Sequence, residues 1–192
     1  SQFKKFKKFF SKKIKVIDCT FDIKNSLKDK IEAIREEAET AVREGSACIV
    51  LSDKDFSSRK ASIPSILTVG AVHSHLVKHG LRGYCSLNVE CSDAMDTHSF
   101  AILIGVGATT VNPYLAIDSI YQRFEKKLFG KSDFETCVSK FKKSIDAGLL
   151  KIMSKMGISV ISSYRGGCNF EAVGLSRAIV SDYFPGMSSR IS

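Results

Sequence analysis

The chain has 192 residues, 44% hydrophobic and 26% charged, with a net charge of +9. That is ordinary globular composition, long enough for one domain with a core of its own, and unlike a disordered or fibrous protein. The longest apolar run, 100–106, is far short of the ~20 residues that cross a bilayer as a helix, so no membrane span is expected.

Residues 1–13 hold six lysines and no acid, two-thirds of the net charge. Phe3, Phe6, Phe9 and Phe10 stand among them at helical spacing, the pattern of an arm for an anionic membrane surface or nucleic acid. The plainer reading is a basic, disordered or frayed tail over 1–13, followed by an α/β body over 14–192. Lysine interrupts the segment too often for a secretory leader, so a cytoplasmic setting is expected. The body has no RNA-binding signature and no helix-turn-helix pattern, so no nucleic-acid partner is expected.

Residues 16–20 form a short apolar run that predicts a strand. Asn25 and Ser26 offer caps, and Ile31, Ile34, Ala38, Ala41 and Val42 then recur at steps of three or four until Gly45. The opposite face of this helix is charged, with Glu39 and Arg43 at i, i+4. Residues 47–51 predict a buried strand ending at Ser52 and Asp53, and 54–62 a polar loop. Pro64 opens a helix that runs to His79 and Gly80. Residues 84–89 predict the next strand, with Glu90 after it. An uncharged apolar helix over 98–105 turns through Gly105 and Gly107 into a strand at 109–112, which Pro113 stops.

A helix over 115–129 is followed by a second one with a capping box at Ser132 and Glu135. That second helix presents Phe141, Ile145, Leu149 and Ile152, expected to pack against the sheet, and ends at Gly157. Residues 158–162 predict a fourth clear strand, Gly166 and Gly167 a turn, and the remaining 25 residues one or two short helices. The strands are short and read as apolar on both faces, so an uncovered edge would be adhesive and a homo-oligomer is expected. Alternation of strand and helix implies right-handed crossovers and a parallel sheet. Too few strands are present for a closed eight-stranded barrel, which leaves an open sheet or a segment of a barrel-like domain.

The six cysteines contain no CxxC pair, and the expectation is free thiols, several of them small buried hydrophobes. His73 and His75 are two apart and cannot share a helix face, so no metal site is expected. Gly105-x-Gly107 lies at a helix end and lacks the third glycine of a phosphate loop. The amides of Gly166 and Gly167 offer an anion nest or simply a turn. In parallel α/β folds ligands gather at the C-terminal ends of strands. Those positions hold Ser52, Asp53, Glu90, Asn112, Tyr164 and Arg165, so Asp53, Glu90, Asn112 and Arg165 are the candidate ligand-binding residues. The alternative is an ion-pair network that pins loops, with Arg165 bridging Asp53 or Glu90.

Four longer segments carry a family resemblance: ILTVGAVHSHLVKHGLR (66–82), THSFAILIGVGATTVNPYLA (97–116), GLLKIMSKMGISVISSYRG (148–166) and FEAVGLS (170–176). Together, over roughly 17–191, they resemble the central domain of the large subunit of glutamate synthase. The resemblance implies the C-terminal half of a barrel-like α/β domain, truncated where a flavin domain would begin. It implies a connecting role between the amidotransferase and synthase parts of an oxidoreductase that makes glutamate from glutamine and 2-oxoglutarate. No cofactor is implied for this chain, because FMN and the iron–sulfur cluster belong to other parts of the family's enzyme. No catalytic residue carries over: residue 1 is Ser rather than a Cys nucleophile, and cluster and flavin-phosphate motifs are absent. The remaining domains of the enzyme are the implied partners, with a stand-alone small-ligand module as the alternative.

Overall fold

Four of the strands line up parallel in one sheet, each beside the one before it in chain order. The structure, a computed structural model, describes residues 13–191, so the lysine-rich segment lies almost wholly outside the described residues. In chain order come β1 (Ile14–Asp18), β2 (Thr20–Asp22), α1 (Leu27–Arg43), β3 (Cys48–Ser52), β4 (Lys60–Ser62) and α2 (Ser65–Lys78). A 3-10 turn (Arg82–Tyr84) leads to β5 (Ser86–Cys91), α3 (Thr97–Gly105), β6 (Thr110–Pro113), α4 (Tyr114–Glu125) and α5 (Phe134–Lys155). The chain continues through α6 (Ile161–Tyr164), β7 (Glu171–Ser176), α7 (Arg177–Tyr183) and β8 (Ser188–Ile191).

The main sheet has the order β1-β3-β5-β6 and is parallel throughout. Strand order follows chain order without a reversal, which is how a barrel winds; a doubly wound sheet doubles back at a switch point. β2 and β4 form a small antiparallel ribbon, so part of the expected 54–62 loop is paired backbone.

Register explains the two faces of the sheet. Ile49 lies opposite Leu87, and Leu51 opposite Val89, and these side chains join Ile17 in the core under α1 and α2. α1 contributes Ile31, Ile34, Ala38, Ala41 and Val42, and α2 contributes Val69, Val72 and Leu76. On the other face the row Val50, Asn88, Thr110 and the row Ser52, Glu90, Asn112 lie side by side. β5 and β6 are therefore polar on that face, not apolar on both. A buried amide and carboxylate persist there because each finds partners; Thr110 Oγ1 donates to Asn88 Oδ1 at 2.7 Å.

Several elements differ from the sequence expectation. Residues 158–162 do not form a strand; Ile161–Tyr164 is a single helical turn. α5 is capped by Asp133, whose carboxylate accepts from Thr136 N at 2.6 Å, one residue from the expected box. That helix lies on α3 and α4 rather than on the sheet: Phe141 meets Phe100 edge-on with ring centroids 6.4 Å apart. Only Cys137, Ile145 and Met153 of α5 are buried. The last 25 residues make a small β-α-β unit, with β7 and β8 parallel to each other and α7 between them.

Candidate functional site

The C-terminal ends of β3, β5 and β6 hold three of the four candidates. Ser52, Glu90 and Asn112 are cross-strand partners, so the pleat points them to one face at one level. Ser52 Oγ donates to Glu90 Oε2 at 3.1 Å and Asn112 Nδ2 to Glu90 Oε1 at 3.1 Å. Lys54 Nζ adds an ion pair to Glu90 Oε1 at 2.6 Å. The buried carboxylate thus has its charge matched and both oxygens engaged, which is what keeps a charge at 2% exposure affordable.

Asp53, one residue past β3, turns the other way. Its Oδ2 accepts from Ser92 N at 2.9 Å and from Ser92 Oγ at 2.6 Å, tying the loop after β5 to the end of β3. Tyr114 stands beside it at the start of α4. Burial, and then the neighbouring Asp53 carboxylate, hold the Tyr114 phenol well above its ordinary value. The pair falls short of full hydrogen-bond geometry, so Asp53 Oδ1 and Tyr114 Oη are buried polar atoms without a partner. The gap lined by Asp53, Ser65, Thr68 and Glu90 has an empty volume of about 160 Å³ but no room for a water-sized sphere. The expected ion-pair network is there, with Lys54 rather than Arg165 as its cation.

Arg165 lies at the opposite end of the sheet. It follows the helical turn α6, which docks on the last turn of α3: Gly166 N donates to Ile104 O at 3.2 Å and Cys168 N to Gly105 O at 3.1 Å. Its neighbour there is Arg82, whose Nη1 and Nη2 donate to Cys85 O at 2.7 Å and Gly107 O at 2.8 Å, just before β5 and β6. Burial chiefly, with Arg165 nearby, draws the Arg82 guanidinium below its ordinary value. Arg82 Nε donates to His73 Nδ1 at 3.0 Å; burial and then this cation push His73 down to about 4, so the ring is neutral.

This end explains the glycines. A side chain at Gly105 would enter the Phe170 ring, and one at Gly107, where φ is +124°, would enter His73. Gly-x-Gly is here a close-packing device. The amides of Gly166 and Gly167 are taken up by Ile104 O and Tyr164 O, which leaves no anion nest.

A third cluster joins α1 and α2 on the outer surface. Glu39 Oε1 accepts from Arg43 Nε at 2.8 Å, the expected i, i+4 pair. Its Oε2 lies 2.6 Å from His75 Nε2 and 3.8 Å from His79 Nδ1. Arg43, then His75, hold the Glu39 carboxyl below its usual range. His75 and His79 have the i, i+4 spacing that His73 and His75 lack. The second ring belongs to the helix C-cap residue, one place past the last helical residue. The pair was legible in the sequence; the glutamate facing it, 36 residues earlier, was not.

Comparison with known proteins places this geometry. The family model of the glutamate synthase central domain matches residues 1–176, the lysine-rich segment included. The chain is 55% identical over 179 residues to the glutamate synthase [NADPH] large chain of Azospirillum brasilense, covering 92% of this chain and 12% of that protein. It is 44% identical over 179 residues to the corresponding chain of Bacillus subtilis, covering 91% and 11%. With the chloroplastic ferredoxin-dependent glutamate synthase of Spinacia oleracea it shares 39% over 194 residues, covering 93% and 12%. A parallel sheet wound in chain order and a match over most of its length lead to one conclusion: the chain belongs to the glutamate synthase central domain family.

Proposed function

We propose that this chain acts as a non-catalytic connecting domain of a cytoplasmic glutamate synthase, supporting the amidotransferase and synthase parts that make glutamate from glutamine and 2-oxoglutarate. Those parts are its partners, and FMN and the iron–sulfur cluster reside in them. The observation that carries this reading is the strand-end rim. The position where parallel α/β proteins keep reactive groups is filled by Glu90, with Ser52, Lys54 and Asn112 on its two oxygens. A carboxylate held in that way has a structural task and little freedom to accept a substrate proton.

The test is made on the purified chain. It is expected to be colourless, to acquire no flavin absorption with excess FMN, and to leave glutamine unhydrolysed. A stoichiometric flavin band or measurable glutamine turnover overturns the proposal.

A second reading, a small-ligand module, is favoured by one observation: Asp53 Oδ1 and Tyr114 Oη are buried without full partners. A ligand with an amino group would satisfy both, provided that the rim opens and Lys54 leaves Glu90. Arg165 is too far away to take part. Its signature is a saturable rise in Tm with a small amine that disappears in Asp53→Asn.

A further inference from the structure

We propose that Glu39, His75 and His79 form a binding site for one divalent transition-metal ion of the zinc class, clamping α1 to α2. This goes beyond the connecting role, since the site lies away from the strand-end rim.

Three features support it. The donors come from α1, from α2 and from the C-cap residue of α2, and one oxygen or nitrogen from each residue falls within 4.8 Å of the others. A tetrahedral ion with bonds of about 2.0–2.2 Å separates its ligands by about 3.4 Å. Two of the separations, 2.6 and 3.8 Å, bracket that value and the third lies within 4.8 Å, so closing the triangle takes side-chain rotation on the order of 1–1.5 Å. The set of two imidazoles and one carboxylate is also that of a zinc-type site with an open fourth position. The surroundings orient the ligands: Arg43 holds Glu39 Oε1 and leaves Oε2 turned toward the rings.

Binding has a local cost. His79 Nδ1 now lies 2.8 Å from the carbonyl of His75, and an ion would exchange that hydrogen bond for a metal bond. The Glu39–His75 hydrogen bond is exchanged in the same way. Partial exposure of the three side chains, 21%, 17% and 35%, gives an ion direct access from solvent.

The experiment is calorimetric titration of the metal-stripped full chain with zinc or nickel alone, repeated for His79→Ala and Glu39→Gln. The expected result is one equivalent bound by the parent chain, with affinity at least tenfold weaker in each variant. A rise in Tm with zinc should be lost in His79→Ala. His79 is half-exposed at a helix end, so that variant keeps its fold and the test stands even if Glu39→Gln does not. Cobalt distinguishes the six thiols: a histidine and carboxylate site gives no thiolate charge-transfer band. Binding that is absent, equal in the variants, or accompanied by a thiolate band overturns the proposal.

Discussion

Arg35, on the core-facing side of α1, reaches across to Asp182 in α7, donating Nη2 to its backbone carbonyl at 3.1 Å and to Oδ1 at 3.3 Å. The same guanidinium donates Nε to Ala71 O at 3.3 Å, pairs with Glu32 at 2.7 Å and lies 4.7 Å from the Tyr183 ring centroid. One buried side chain therefore fastens α1, α2 and the C-terminal β-α-β unit together.

Replacing Arg35 by Ala removes those bonds and takes the Arg35 donor from the Asp182 carbonyl, while Ala71 O keeps Ser74 Oγ at 3.1 Å. The expected loss is about 1.5–3 kcal/mol, the range for hydrogen bonds to a charged group. Chemical denaturation reads the total, and hydrogen exchange should show extra opening confined to 171–191. An unchanged denaturation midpoint would mean that the C-terminal unit is held by packing alone.

The thiols make a pH prediction. Burial pushes Cys19 and Cys91 up to about 12. The thiolate is the reactive form, so at pH 8 about one molecule in ten thousand is poised to react at either site. Cys168 is also raised by burial, yet it is the single cysteine of the six that is partly exposed. Alkylation of the native protein followed by peptide mass mapping should label Cys168 first. Cys19 and Cys91 should react only on unfolding or at strongly alkaline pH. Early labelling of Cys19 at pH 8 would contradict the described burial.

Helix α5 offers a graded packing test. Ile145 is 6% exposed and Leu150 is 66% exposed, on the same helix. Ile145→Ala should cost about 2–4 kcal/mol, the usual range for emptying a buried aliphatic site. Leu150→Ala should change stability by less than about 0.5 kcal/mol. Leu149, partly buried against both core clusters, should fall between them. Equal effects at 145 and 150 would mean that α5 does not dock on α3 in the way described.

Association follows from the C-terminal unit. Val173 is 89% exposed, with Leu175, Ile179 and Ile191 at 40%, 41% and 47%. Among the described residues β7 and β8 pair only with each other, so each keeps an open edge. The chain is expected to form a homodimer or larger species at moderate concentration. Its excess of positive charge opposes this, so added salt should promote association by screening. Light scattering across a concentration series checks it, and Val173→Lys should shift the distribution toward monomer. A monomer at high concentration in high salt would show that this surface is not adhesive.

The sequence by itself determined the α/β alternation, the core-facing stripe of α1, the buried run of β3 and the family. Each rests on local periodicity or on long matching segments, which need no knowledge of distant contacts. It misplaced 158–162 because a short apolar run reads alike as strand or helix. Tertiary packing decided that one: Tyr164 is buried beside Phe170 against α3, where a helical turn fits and no neighbouring strand is on offer. Asp53, Glu90 and Asn112 were legible as strand ends, because strand ends are marked by where apolar runs stop. That Lys54 and not Arg165 neutralises Glu90, and that Glu39 faces His75 and His79, depended on how helices and loops pack across 36 residues or more of chain. Spacing along one helix sets which side chains share a face; only the fold sets what that face meets.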